Sequence, residues 1–184
     1  AGRAAPHKWR EESWEIRMTN VTSWSAHARQ FLLNSQRPVV AWVALEAHQM
    51  GRAVASAAKE MHAHGWVGHL APARASITSD KGCYGGSYSG VRPALRSGPL
   101  RSSAPKDRYW QLDTPYLTGF QLRVCKRDIL VLGGYFRGGK GEDADEVWQA
   151  VLLETRRGRA PFILYLDANI GNKQSEDTGW PLLL

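Results

Sequence analysis

The sequence predicts a layered α/β sandwich built from mixed β-sheets, and three observations carry that prediction. Apolar runs of strand length recur along the chain, at Val39–Leu45, Ile129–Leu132 and Phe162–Leu166. Segments with helical spacing fall between them. The middle of the chain alternates in short pieces that read as antiparallel strands, so sheets of mixed direction flanked by helices result. With 184 residues, 43% of them hydrophobic and 22% charged, the chain is long enough for one domain with a substantial core.

Each element has its own reason. Residues 1–14 are basic, polar and aperiodic, and read as a loose arm before a domain over 15–184. Glu15 to Val21 alternates and predicts a strand. Ser25 is an N-cap for a helix carrying Ala26, Ala28, Phe31 and Leu32 at helical spacing. Pro38 opens VVAWVALE, whose continuous apolar run fits a strand covered on both faces. Gly51 to His64 is rich in helix formers and Gly65 terminates it. WVGHLAP (66–72) predicts a short strand. Residues 73–106 hold Ser, Gly, Arg and Pro in such density that they read as long basic loops with at most one short strand. Tyr109–Thr114 and Thr118–Val124 are strand candidates, Arg127-Asp128 a turn, and ILVLGGYF (129–136) a buried strand. RGGKGEDAD (137–145) reads as a loop with an acidic helix start. Glu146–Arg156 follows as a helix with Val147, Trp148, Val151 and Leu152 on one face.

Charge and cysteine usage narrow the function classes. The formal charge is +7 and the pI about 9.7, which favours a polyanionic partner, nucleic acid first and an acidic membrane second. No apolar run is long enough to span a bilayer. Cys83 and Cys125 form neither a disulfide framework nor a metal pattern, so an intracellular, reducing setting is expected, the nucleus included. His48, His62, His64 and His69 match no tight zinc spacing and read as surface histidines. Gly138-Gly139-Lys140-Gly141 lacks the full phosphate-loop spacing. AGRAAPHKWR has no apolar signal core, and the WPLLL end suggests a chain cut inside a domain.

The chemistry lies at the strand ends. One strand carries Asn20, a second ends Leu45-Glu46-Ala47-His48, and the last ends Asp167-Ala168-Asn169. A fourth puts Tyr135 near its end, followed by Arg137. Carboxylates and amides gathered at neighbouring strand ends suit a hard cation such as Mg²⁺ or Mn²⁺, which takes oxygen ligands and keeps several waters. A phosphate bound beside such an ion is set up for phosphodiester hydrolysis. Asp167 and Asn169 are also ordinary turn formers, and Tyr135 an ordinary rim aromatic. Arg92, Arg96, Arg101, Lys106 and Arg108, interleaved with Tyr84, Tyr88, Tyr109 and Trp110, suit a nucleic-acid backbone and its bases, or else form a solvated loop.

In this order the motifs resemble the endonuclease/exonuclease/phosphatase superfamily, the DNase I-like fold that includes retroelement endonucleases. TNVTSW (19–24), LEAH (45–48), Gly85-Gly86, Tyr135 in GGYFRGG and LDAN (166–169) stand for its successive motifs, from about residue 15 to the C-terminus. The resemblance implies a Mg²⁺-dependent endonuclease-like phosphodiesterase acting on nucleic acid, DNA ahead of RNA. It implies Glu46 as principal metal ligand with Asn20 beside it, Asp167 orienting or deprotonating the attacking water, Asn169 holding the phosphate, and Tyr135 stabilising the phosphate or transition state. The sequence departs from the family where Leu45 replaces Gln, Leu166 replaces Gly and Ala168 replaces an aromatic. No Ser-Asp-His follows Asn169, so the implied fold is incomplete at its C-terminus and activity of this chain is expected to be weak or lost. The alternatives are a degenerate, non-catalytic domain that binds nucleic acid or protein through its basic loops, and a gene fragment.

Overall fold

The computed structural model describes residues 14–36, 38–76, 82–124, 126–136, 142–156 and 160–167. In chain order the elements are β1 (Glu15–Asn20), α1 (Ala26–Leu33), β2 (Val39–Leu45), α2 (Arg52–Ala63), β3 (Val67–Ala71), β4 (Arg74–Ala75), β5 (Cys83–Tyr84), β6 (Ser87–Val91), β7 (Ser97–Pro99), β8 (Ser103–Pro105), β9 (Tyr109–Leu112), β10 (Leu117–Val124), β11 (Arg127–Tyr135), α3 (Glu142–Arg156) and β12 (Phe162–Asp167). They form one sheet of order β1-β2-β6-β3-β9-β8, a second of order β12-β11-β10-β7, and the small β4-β5 ribbon. Both large sheets mix directions: β1 runs parallel to β2 and β11 to β12, whereas β2–β6 and β10–β11 are antiparallel.

The two sheets stack on an apolar layer that includes Val43, Leu45, Phe120, Leu122 and Val131. Gly133 sets how closely they approach. A β-carbon on it would lie 2.2 Å from Cγ1 of Val43 and 3.3 Å from Cδ2 of Leu45. Gly134 does the same on the other face of β11, where Leu166 and Val147 close in at 3.0 and 3.2 Å. The Gly-Gly pair therefore makes room for Leu45 and Leu166, the two positions at which apolar residues replace the polar or small residues of the family pattern.

A second core covers the outer face of the larger sheet beneath α1 and α2. Trp24, Trp42, Trp66, Met61 and Tyr88 are all buried there, and Trp42 stacks with Trp24 and meets Trp66 edge-on. Ser25 caps α1 by accepting from the Ala28 amide at 3.2 Å, and Gly65, at φ +75°, ends the α2 segment as expected.

Three expectations need correction. Residues 73–106 contain five strands rather than at most one, and β6 lies inside the larger sheet with all five of its residues buried. Its sequence, SYSGV, hides this because the hydroxyls bond internally: Ser89 and Thr118 share a bond of 3.1 Å and Thr118 donates to the His69 carbonyl. The β10–β11 turn falls two positions earlier than Arg127-Asp128, since Val124 already pairs with Arg127 and Lys126 takes the positive φ of +67°. His69 is a core residue, 1% exposed, tilted against Phe120. In addition α3 starts at Glu142 rather than Glu146.

Candidate active site at the strand ends

Parallel pairing brings the polar strand ends together. Asn20 is in register with Leu45, which places Glu46 just beyond the end of β1. Tyr135 is in register with Asp167 on the facing sheet. Across the gap, the side-chain amide of Asn20 donates to Oε1 of Glu46 at 2.9 Å and to Oδ2 of Asp167 at 2.5 Å. Its carbonyl oxygen accepts the Thr22 amide at 2.9 Å. With its nitrogen committed to both acids, Asn20 acts here as a bridge that aligns two carboxylates. His48 stands beside the pair, its Nε2 3.8 Å from Oε2 of Glu46.

The backbone around this cluster is contorted. Thr22, Glu46 and His48 have φ of +58°, +61° and +52°, where side-chain-bearing residues seldom sit. Such conformations persist only where the surroundings over-determine them, and they concentrate at functional sites. Here the surroundings are loop-to-loop hydrogen bonds. Ala47 and His48 donate to the carbonyls of Gly86 and Gly85, Trp24 to Ala47, Gly86 to Pro115, and Tyr135 to Tyr116. Gly85 and Gly86 are themselves at positive φ, and a β-carbon on Gly86 would press on Ala73 and the His48 amide at 3.1 and 3.2 Å. The Tyr88 hydroxyl, buried in the outer core, donates to Gln49 at 3.2 Å and ties that core to the same loop.

Tyr135 is nearly buried, 9% exposed, at the end of β11. Burial, and then the Asp167 charge, raise the pKa of Tyr165 two residues before the acid. A latch that sequence reasoning missed lies at the same end: Arg74 forks onto Glu146 at 3.0 and 3.2 Å, and Thr114 donates to Glu146 at 3.1 Å. Tyr84 stacks on Tyr116 beside it. No periodicity signals such a contact, because its members come from β4, α3 and a loop.

The donor set fits a hard cation in kind, two carboxylates and an amide, all of them oxygen or amide groups. Among the described residues no group of three or more His, Cys, Asp or Glu side chains gathers as a metal cluster. Asn169 and Arg137 lie outside the described residues.

The other basic residues stand elsewhere. Arg92 follows β6 where β2 begins, at the opposite end of the strands from Glu46. Its guanidinium lies 3.7 Å over Trp66 and donates to the carbonyls of His64 and Ser35, so it staples α1 to α2. Arg96, Lys106 and Arg108 are also at that far end, before β7 and in the β8–β9 turn. The Arg101 amide is bound to Glu154 on α3 at 2.9 Å.

These elements define the class: a two-sheet α/β sandwich of DNase I type. More particularly, the chain has the fold of the endonuclease/exonuclease/phosphatase superfamily, as comparison with solved structures shows. An endonuclease/exonuclease/phosphatase family protein from Leptotrichia buccalis superposes with a TM-score of 0.58 at 12% identity, over 90% of this chain and 71% of that one. The endonuclease domain of TRAS1, a telomere-specific non-LTR retrotransposon, gives 0.55 at 14% identity over 92% and 71%. A β-hairpin deletion mutant of beta toxin from Staphylococcus aureus gives 0.51 at 10% identity over 94% and 73%. No family model and no curated protein sequence matches the chain.

Proposed function

We propose that the chain is a Mg²⁺- or Mn²⁺-dependent phosphodiester hydrolase of endonuclease type that acts on nucleic acid, DNA ahead of RNA. One observation carries the reading: a single amide, Asn20, holds Glu46 and Asp167 together from positions 26 and 147 residues away in sequence. Neither a turn nor a solvated acid requires that convergence. The retroelement endonuclease among the structural neighbours supports a nucleic-acid substrate.

Glu46 and Asp167 would hold the cation, which when bound supplies Lewis-acid polarisation of a phosphoryl oxygen and relief of charge on the leaving oxygen. Asn20 keeps the two acids in register. Asp167 orients the attacking water and accepts its proton. Tyr135, opposite Asp167 on the neighbouring strand, donates its phenolic proton to a phosphate oxygen. Asn169 holds that phosphate in the role the family resemblance gives it. His48 lines the Glu46 side and shapes the approach.

Conversion of supercoiled plasmid to the nicked form in Mg²⁺ tests the reading. The expected result is nicking by the unaltered chain that EDTA stops, and that Glu46→Ala and Asp167→Ala each lower by about 10²–10⁴-fold, the range for loss of a group acting on the reacting proton or charge. Nicking untouched by both substitutions contradicts it. A chain that binds nucleic acid and never nicks it is the second reading, favoured by the separation of Arg96, Lys106 and Arg108 from the carboxylates.

A further inference from the structure

The strand registers place a basic corner diagonally across the molecule from the carboxylates. β7 is the edge of one sheet and β8 the edge of the other, on the side away from β1 and β12. Arg96 precedes β7 at the end where Ser97 pairs with Leu122. Lys106 and Arg108 lie in the β8–β9 turn beyond the Pro105–Trp110 pair. Lys126 and Arg127 form the tip of the β10–β11 hairpin at the same end. All five of these side chains are exposed. The acids among them are already engaged: Asp128 is forked by Arg123 at 2.7 and 2.9 Å, and Asp107 meets Arg108 at 3.4 Å. Between Arg96 and Arg123 opens a cavity of about 220 Å³ at Gly98, where a β-carbon would meet nothing within 4 Å.

We infer that this corner is a second, metal-independent binding surface for the sugar-phosphate backbone of nucleic acid, separate from the candidate active site. Strands of this length and spacing put the corner on the order of 25 Å from Glu46 and Asp167. That distance corresponds to roughly seven phosphates along one strand. The same phosphate therefore cannot meet both places, and the corner serves to hold a flanking segment. Nucleic acid fits better than an anionic membrane, because a membrane-binding face also inserts apolar side chains. Among the described residues the exposed large hydrophobics, Trp14, Phe31, Met50, Leu153, Phe162 and Ile163, all lie off these turns.

Fluorescence anisotropy with a labelled duplex of about 30 base pairs, in EDTA, tests the inference. The unaltered chain is expected to bind with an affinity that falls linearly in log–log against salt. The triple variant Arg96→Gln/Lys106→Gln/Arg127→Gln should bind about 10-fold or more weakly, with a salt slope smaller by about 2–3. Circular dichroism of the variant separates a lost surface from a lost fold, and Arg127→Gln alone, at an exposed hairpin tip, should reduce the slope by about 1. A folded triple variant that binds like the unaltered chain overturns the inference, as does binding to phosphatidylserine vesicles without binding to the duplex. Glu46→Ala, which bears on the catalytic reading, leaves this EDTA measurement untouched, so failure of one does not imply failure of the other.

Discussion

The two ends of the strands are built in opposite ways. At one end the backbone is contorted, with Thr22, Glu46 and His48 at positive φ, and two acids converge on one amide. At the other end turns are tight, Lys126 takes up the strain of a hairpin, and arginines and lysines project outward. The net charge of +7 averages over both. The exposed cluster of Arg96, Lys106, Arg108, Lys126 and Arg127 stands apart from the candidate chemistry, so charge alone does not locate the site.

The comparison can be broken most severely at the acidic end. Glu46→Ala and Asp167→Ala should remove about 10²–10⁴-fold of plasmid nicking. Thermal unfolding should register little change, because Ala at φ +61° inherits the strain that Glu46 already bears. Next in size is Gly133→Ala. Its methyl group would meet Val43 at 2.2 Å and force the sheets apart, for a loss of about 2 kcal/mol or more by denaturant titration. Because Asp167 and Asn20 come from different sheets, the same variant should also lower nicking, whereas the basic corner should keep its hold on duplex DNA.

Between the ends lies His69, whose burial lowers its pKa from 6.5 to about 3. Both ring nitrogens lack hydrogen-bond partners among the described residues. The folded state keeps the ring neutral while the unfolded chain protonates it below about pH 6.5, so stability is full above that value and falls as pH drops toward 3. The expected slope is up to about 1.4 kcal/mol per pH unit from this group. The difference between the urea midpoints of the unaltered chain and of His69→Leu should move against the unaltered chain as pH falls through that window, and a difference independent of pH would contradict this. The smallest effect is Ser25→Ala, which removes the α1 cap beside the site and should cost about 1 kcal/mol in thermal or urea unfolding.

Much of this was legible in the sequence, for physical reasons. Val39–Leu45 and the ILVLGGY run declare buried strands because covered strands need apolar side chains on both faces. Asn20, Glu46 and Asp167 are visible as polar stops to apolar runs, and their order along the chain suggested that they meet. The strand SYSGV was not legible, since Ser89 is satisfied by His69 and Thr118 from other strands and Ser87 by the Pro115 carbonyl. The burial of His69 was hidden because an imidazole reads as polar although it packs against Phe120, and the short strands β4, β5, β7 and β8 were hidden in the same Ser-, Gly- and Pro-rich stretch. Nor could spacing show that Arg92 is spent on Trp66 and two helix ends while Arg96 and Lys106 remain outward. A run of basic residues looks uniform in sequence, and register divides it.

Glu46 and Asp167, aligned by Asn20, are proposed to form a hard-cation site. Titration of the chain with Mn²⁺, followed by the loss of the free-ion electron paramagnetic resonance signal, tests it without requiring turnover. The expected result is Mn²⁺ binding that Mg²⁺ displaces and that disappears in both Glu46→Ala and Asp167→Ala, while Arg96→Gln/Lys106→Gln/Arg127→Gln retains it. Mn²⁺ binding that survives both acid substitutions, or no binding by the unaltered chain, would contradict it.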